Sequence, residues 1–98
     1  MYKVVYTKQA LKDLENLKKS GISNKAKVLV DLIKENPYQT PPRYEKLVGK
    51  LDGILSRRIN IQHRLVYQVY EEKVNENDVE YQGTIKIIRM WTHYDNVR

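Results

Sequence analysis

Residues 56–70, SRRINIQHRLVYQVY, carry three arginines and a histidine within two stretches rich in β-branched and aromatic side chains. Glu45 lies upstream in RYEKLV, and His93 and Tyr94 lie downstream in WTHYDN. A carboxylate, arginines, a histidine and tyrosines form a set able to cleave an RNA phosphodiester without a metal. The ribose 2′-hydroxyl must lose a proton, the phosphorane gains negative charge, and the departing 5′-oxygen must be protonated. A carboxyl group of ordinary pKa (~4.3) is a ready base, an imidazole titrating near ~6.5 can supply a proton, and a guanidinium stays charged throughout. An exposed sheet face with surface ion pairs accounts for the same arginines without any reaction, and neither Glu45 nor His93 is diagnostic alone.

These residues need elements to position them. Side chains alternate across a strand, so Arg64, Val66, Gln68 and Tyr70 point one way and Leu65, Tyr67 and Val69 the other; Arg58 and Asn60 likewise oppose Arg57, Ile59 and Ile61. An unpaired guanidinium is too costly to bury, so at least one arginine of each strand must face water, a carboxylate or an anion. Upstream, YKVVY (2–6) predicts a first strand. Thr7 caps a helix whose Ala10, Leu11, Leu14 and Leu17 recur at helical spacing up to Gly21. Ser23 or Asn24 caps a second helix with Ala26, Leu29, Leu32 and Ile33 on its apolar stripe. The stretch NPYQTPPRYEKLVGKLDG holds all three prolines and predicts irregular surface chain. Strands resume in ILSRRINI, RLVYQVYE and TIKIIRMW. The expected order is β-α-α-β-β-β, an α+β domain in which two helices cover one face of an antiparallel meander and leave the other face for work.

Ninety-eight residues suit one domain, 1–98. Eighteen basic against twelve acidic residues give a net charge of +6, which favours polyanionic partners. The charge is also segregated, because 43–64 carries six basic and two acidic residues whereas 71–80 carries five acidic and one basic. Without cysteine the chain has no disulfide or thiolate metal site. The start MYKVVYTK lacks a signal-peptide core and no apolar run approaches ~18 residues, so a cytoplasmic protein with no membrane association is expected.

The segment LDGILSRRINIQHRLVY resembles the L-x-G-x-x-S-R-R-I-x-x-x-H-R-L-V-Y signature of the YoeB/Txe toxins in the RelE/ParE superfamily, with YEKL and THY in support and similarity over nearly the whole chain. The resemblance implies a RelE-like microbial RNase fold and the toxin of a type II toxin–antitoxin system. The implied activity is that of a ribosome-dependent endoribonuclease that cuts mRNA in the ribosomal A site, uses no metal or cofactor and stops translation. Carried over by position, it makes Glu45 the general base, Arg64 the stabiliser of the transition state and His93 the general acid. Arg58 then contacts phosphate, Tyr94 orients the RNA, and Arg57 joins the substrate-binding set. His63 is equally a packing residue, and parity places Tyr67 in the core. Val48 occupies the place of an expected phosphate-binding lysine, with Lys46 or Lys50 as substitutes. The acidic segment 71–82 and the DNVR tail depart from the pattern and are expected to alter RNA access, the acidic charge weakening non-specific binding. The implied partners are the ribosome and mRNA, a YefM/Axe-like antitoxin whose acidic segment covers the basic surface, and a second copy in a homodimer. A gyrase-binding toxin of the ParE type would share the fold without needing the Glu, Arg and His set. A non-catalytic RNA- or antitoxin-binding module is a third reading.

Overall fold

The computed structural model describes residues 1–47 and 53–91. Strand β1 (Lys3–Tyr6) leads into helices α1 (Lys8–Lys19) and α2 (Ser23–Glu35). Strands β2 (Tyr44–Lys46), β3 (Ile54–Arg58), β4 (Arg64–Tyr70), β5 (Val74–Glu76), β6 (Val79–Tyr81) and β7 (Thr84–Arg89) follow. The main sheet has the order β1-β7-β4-β3-β2, with β1 parallel to β7 and every other pair antiparallel. Strands β3, β4 and β7 form the expected meander. The parallel edge strand β1 makes the sheet mixed, which the pattern of short strands did not predict.

Local chemistry sets the helix boundaries. Thr7 Oγ1 accepts a hydrogen bond from the Ala10 N–H at 3.0 Å, and its hydroxyl donates to the Ile88 carbonyl at 2.9 Å, so one residue caps α1 and ties it to β7. Gly21 stops α1 at φ +73°, where the Gly21 and Ile22 N–H groups reach back to the Lys18 and Leu17 carbonyls. That tight stop leaves only Ser20, Gly21 and Ile22 between the helices. Ile22 therefore occupies the N-cap of α2 without a side-chain bond, and the expected Ser23 or Asn24 cap is not made; Ser23 already lies within the helix.

The helices cover one sheet face. Ala10 and Leu17 of α1 and Leu29 and Ile33 of α2 pack with Leu55, Leu65, Tyr67, Ile85 and Ile87. Each large aliphatic side chain buried there contributes roughly 1.5–3 kcal/mol. Leu11, expected on the α1 stripe, is half exposed. Asp13 is buried on that helix instead.

Two elements occupy segments expected to be loop. The edge strand β2 forms by pairing with β3, in the register Tyr44↔Arg57, Glu45↔Ser56, Lys46↔Leu55. The acidic segment folds into a β5–β6 hairpin, with Asn77 and Asp78 at the paired positive φ values of a two-residue turn. Lys3 pairs with Glu76, and Glu71 accepts from Tyr2 and Tyr38, which fixes the hairpin beside the start of β1. Among the described residues no helix is long and apolar enough to cross a membrane.

Candidate active site

The face turned away from the helices carries Glu45, Ser56, Arg58 and Arg64 on three adjacent strands. The register places Arg58 opposite Arg64 and Ser56 opposite both Glu45 and Val66. Glu45 and Arg64 thus start two strands apart, roughly 9.6 Å across the sheet at the ordinary strand spacing, and are offset by two residues, about 6.7 Å, along it. The arginine spans that gap. Arg64 Nη1 donates to Ser56 Oγ at 3.4 Å and Nη2 donates to Glu45 Oε1 at 3.2 Å. Ser56 is fully buried, and its small side chain leaves the path along which the guanidinium crosses β3.

This crossing forms the floor of a cleft of about 730 Å³. Lys25, Arg43, Arg58, Ile59, Asn60 and Ile61 are among the residues that complete its wall. The β3–β4 turn is stiffened where Asn60 Oδ1 accepts from the Gln62 and His63 N–H groups, at 2.9 and 2.7 Å. Ile61 stands at its tip, 92% exposed. Like charges directly opposite on one sheet face are destabilising. The Arg58–Arg64 pair therefore favours negative charge beside it, and Glu45 supplies one such charge at its edge.

The expected residues divide accordingly. Glu45, Arg58 and Arg64 converge on one cleft. Arg57, expected on the substrate, is corrected: it is fully buried on the helix-covered side. Its Nε donates to Tyr67 Oη at 2.9 Å, Nη1 to the Pro42 carbonyl at 2.6 Å, and Nη2 to the Pro37 and Gln39 carbonyls at 3.0 and 2.7 Å. The Tyr44 ring lies 4.9 Å from the guanidinium carbon. Arg57 is thus the internal anchor of the proline-rich segment that delivers Glu45. Burial raises the Tyr67 pKa, although the bond and charge of Arg57 oppose it. Lys46 alternates with Glu45 and shares the face of Tyr44 and Leu55; it is exposed and does not line the cleft. His93, Tyr94, Lys50 and Val48 lie outside the described residues.

Sequence reasoning missed Ser56, Lys25, Arg43 and Ile61. Alternation could have found Ser56, two positions from Arg58. Lys25 and Arg43 carry no local signal, because only the tertiary fold brings α2 and the segment before β2 to the same cleft.

Behind the cleft, Asp13 on α1 fastens the end of β7. Its carboxylate accepts from Arg89 Nε at 2.8 Å, the Met90 N–H at 3.0 Å and Gln9 Nε2 at 3.1 Å. Burial works to raise the Asp13 pKa, but these hydrogen bonds and the Arg89 charge outweigh it and hold it below the usual carboxylate value. Beside it the His63 and Trp91 rings stack with centroids 3.9 Å apart. Burial pushes the His63 pKa down, opposed by the Asp13 charge. His63 is accordingly a packing residue that joins the start of β4 to the chain leaving β7.

The acidic hairpin lies elsewhere. It follows Tyr70, at the end of β4 opposite Arg64, and contributes no residue to the cleft.

Residues 6–94 match the family model described as the YoeB-like toxin of bacterial type II toxin–antitoxin systems. A YoeB/ParE toxin from Agrobacterium tumefaciens superposes with a TM-score of 0.78 at 26% identity, over 94% of this chain and 99% of that one. The Staphylococcus aureus YoeB dimer gives 0.71 at 29% identity, over 95% and 98% of the two chains. YoeB in the YoeB–YefM complex from the same organism gives 0.69 at 28%, over 96% and 99%. No curated protein matches the chain in sequence.

Proposed function

Because the chain belongs to the YoeB-like toxins of bacterial type II toxin–antitoxin systems, we propose that it is a ribosome-dependent endoribonuclease which cleaves mRNA through its own side chains. The single observation that carries this reading is the open-face cluster of Arg58 and Arg64 beside Glu45, an anion clamp with a base at its edge. A phosphodiester seated between the arginines would keep Arg64 within reach of both the phosphate and Glu45. Glu45 takes the proton of the ribose 2′-hydroxyl, and the 2′-oxygen attacks the phosphorus. Arg58 and Arg64 hold the charge that develops on the phosphorane oxygens. His93 gives its proton to the 5′-oxygen as the P–O bond breaks, and Tyr94 orients the nucleotide. The products are a 2′,3′-cyclic phosphate and a 5′-hydroxyl.

Partners follow from the same reading. The S. aureus YoeB in complex with YefM supports a YefM/Axe-like antitoxin, whose acidic chain would neutralise the cleft, and the S. aureus dimer supports a homodimer. The lack of a membrane-crossing helix among the described residues fits work at the ribosome.

The test is cleavage of mRNA on programmed ribosomes, with end-group analysis. Arg64→Met and Glu45→Gln should each lower the single-turnover rate by about 10²–10³ while the protein stays folded. Fragments bearing 5′-phosphates, or full activity in both variants, would exclude this chemistry. A gyrase-directed toxin would instead arrest DNA replication first and remain toxic with Glu45→Gln.

A further inference from the structure

The cleft is more basic than one phosphodiester requires. Among the described residues, Lys25, Arg43, Arg58 and Arg64 line it together with one carboxylate, Glu45. Arg64 is engaged by Glu45, and among the described residues no carboxylate lies within 4.0 Å of the other three cations. The described lining thus carries a formal excess of three positive charges, four cations against one carboxylate, whereas one phosphodiester brings one negative charge. Arg58 and Arg64 rise from the sheet; Lys25 comes from the first turn of α2 and Arg43 from the segment ahead of β2. A cation in the first turn of a helix opposes the macrodipole, and that turn holds no acidic residue to compensate. The backbone beside Arg43 is held in place, since Arg57 binds the Pro42 carbonyl at 2.6 Å. Two cations on one cleft, with no carboxylate within 4.0 Å among the described residues, are suited to a ligand that supplies further anions.

We infer that Lys25 and Arg43 form a second anion site, which grips the phosphate flanking the scissile one, so that the cleft recognises RNA through consecutive phosphates. This rests on the ribonuclease reading and adds the residues that set its minimum substrate. The site is sequence-independent, because phosphate contacts position a strand without reading its bases.

The experiment uses the full chain with di-, tri- and tetraribonucleotides made uncleavable by a 2′-deoxy substitution before the scissile phosphate, titrated calorimetrically across a salt series. Wild type should gain at least tenfold in affinity between the dinucleotide and the tetranucleotide at low salt. Lys25→Gln with Arg43→Gln should lose most of that gain, weaken the dinucleotide less than about twofold, and lower the salt slope by about 0.7 for each cation removed. Lys25→Arg with Arg43→Lys should restore the length dependence, which a merely structural role would not predict. The inference is overturned if wild type gains nothing with length, or if the double variant keeps the full gain. Equal weakening of every length overturns it too, as does a variant that binds the oligonucleotides normally and loses only ribosome affinity. Cleavage of ribosome-bound mRNA by wild type, measured alongside, tests the ribonuclease reading separately: its absence sinks that reading, whereas its presence without length-dependent binding removes only the second site.

Discussion

Arg57 and Arg58 are neighbours of identical chemistry on opposite faces of β3, and the two faces use them in opposite ways. On the helix-covered side, Arg57 meets three carbonyls, a tyrosine hydroxyl and an aromatic ring, so it is buried with its donors engaged. On the open side, Arg58 faces a second arginine across the strand pair, and the nearby carboxylate is taken by that second arginine. The contrast shows why charge on a strand says little by itself. What separates a structural cation from a binding one is whether the protein supplies its acceptors. The faces are also linked, because the segment that Arg57 holds from within carries Arg43 and Glu45 to the cleft.

Exchanging the partners of the two arginines tests the comparison most severely. Arg57→Met leaves the Gln39 and Pro42 carbonyls without their side-chain donor, while the Pro37 carbonyl keeps the Tyr67 hydroxyl and Tyr67 Oη loses the donor it had in Arg57 Nε; unsatisfied buried groups cost about 1–3 kcal/mol each. Part of that loss is recovered where the segment can hydrate, so a destabilisation on the order of 3 kcal/mol in urea unfolding is expected. Arg58→Met should stay within about 0.5 kcal/mol of wild type in the same measurement, because Arg58 is exposed and makes no salt bridge among the described residues, and should weaken RNA binding instead. Equal stability losses for the two variants would erase the distinction between the faces.

A smaller effect is expected from Asp13→Asn, which removes a charged acceptor from Arg89 and Met90 and should cost roughly 2 kcal/mol. The pH dependence sharpens this. Asp13 has a depressed folded pKa, so its contribution is complete above its ordinary value of 3.8 and is lost as pH falls through the folded value. His63 is also depressed, so the folded state binds its proton less readily than the unfolded chain. Its contribution is complete above 6.5 and drains away as pH falls from there toward the folded value. His63→Gln should flatten the upper part of the stability–pH curve and Asp13→Asn the acid limb. If both variants keep the wild-type profile, the linkage between these groups and folding is wrong.

The same residues show what was legible beforehand. The Thr7 cap, the Gly21 stop and the three-strand meander were readable, since each rests on nearby residues and a repeating period. Parity correctly placed Tyr67 in the core and Arg64 opposite it. Strand β2 was not readable, because three residues of an edge strand exist only through their register with β3. The burial of Asp13 was hidden for a similar reason, its principal partner lying 76 positions away. Arg57 misled because its acceptors are backbone carbonyls, to which residue identity gives no clue. The approach of Glu45 to Arg64 was implied by the family resemblance and by nothing in local spacing.

The smallest effect concerns the far end of β4. The acidic hairpin was expected to weaken RNA binding, yet Tyr70, which leads into it, lies six residues from Arg64, about 20 Å along a strand. That exceeds the Debye length of about 8 Å at physiological ionic strength, so hairpin charge is largely screened at the cleft. Glu72→Gln with Glu80→Gln should therefore change affinity for single-stranded RNA less than about twofold at 0.15 M salt. At 0.01 M, where the Debye length reaches about 30 Å, the same variant should bind measurably tighter than wild type. A large gain already present at physiological salt would mean that RNA runs the length of β4 and touches the hairpin, making the two ends of the strand one binding surface.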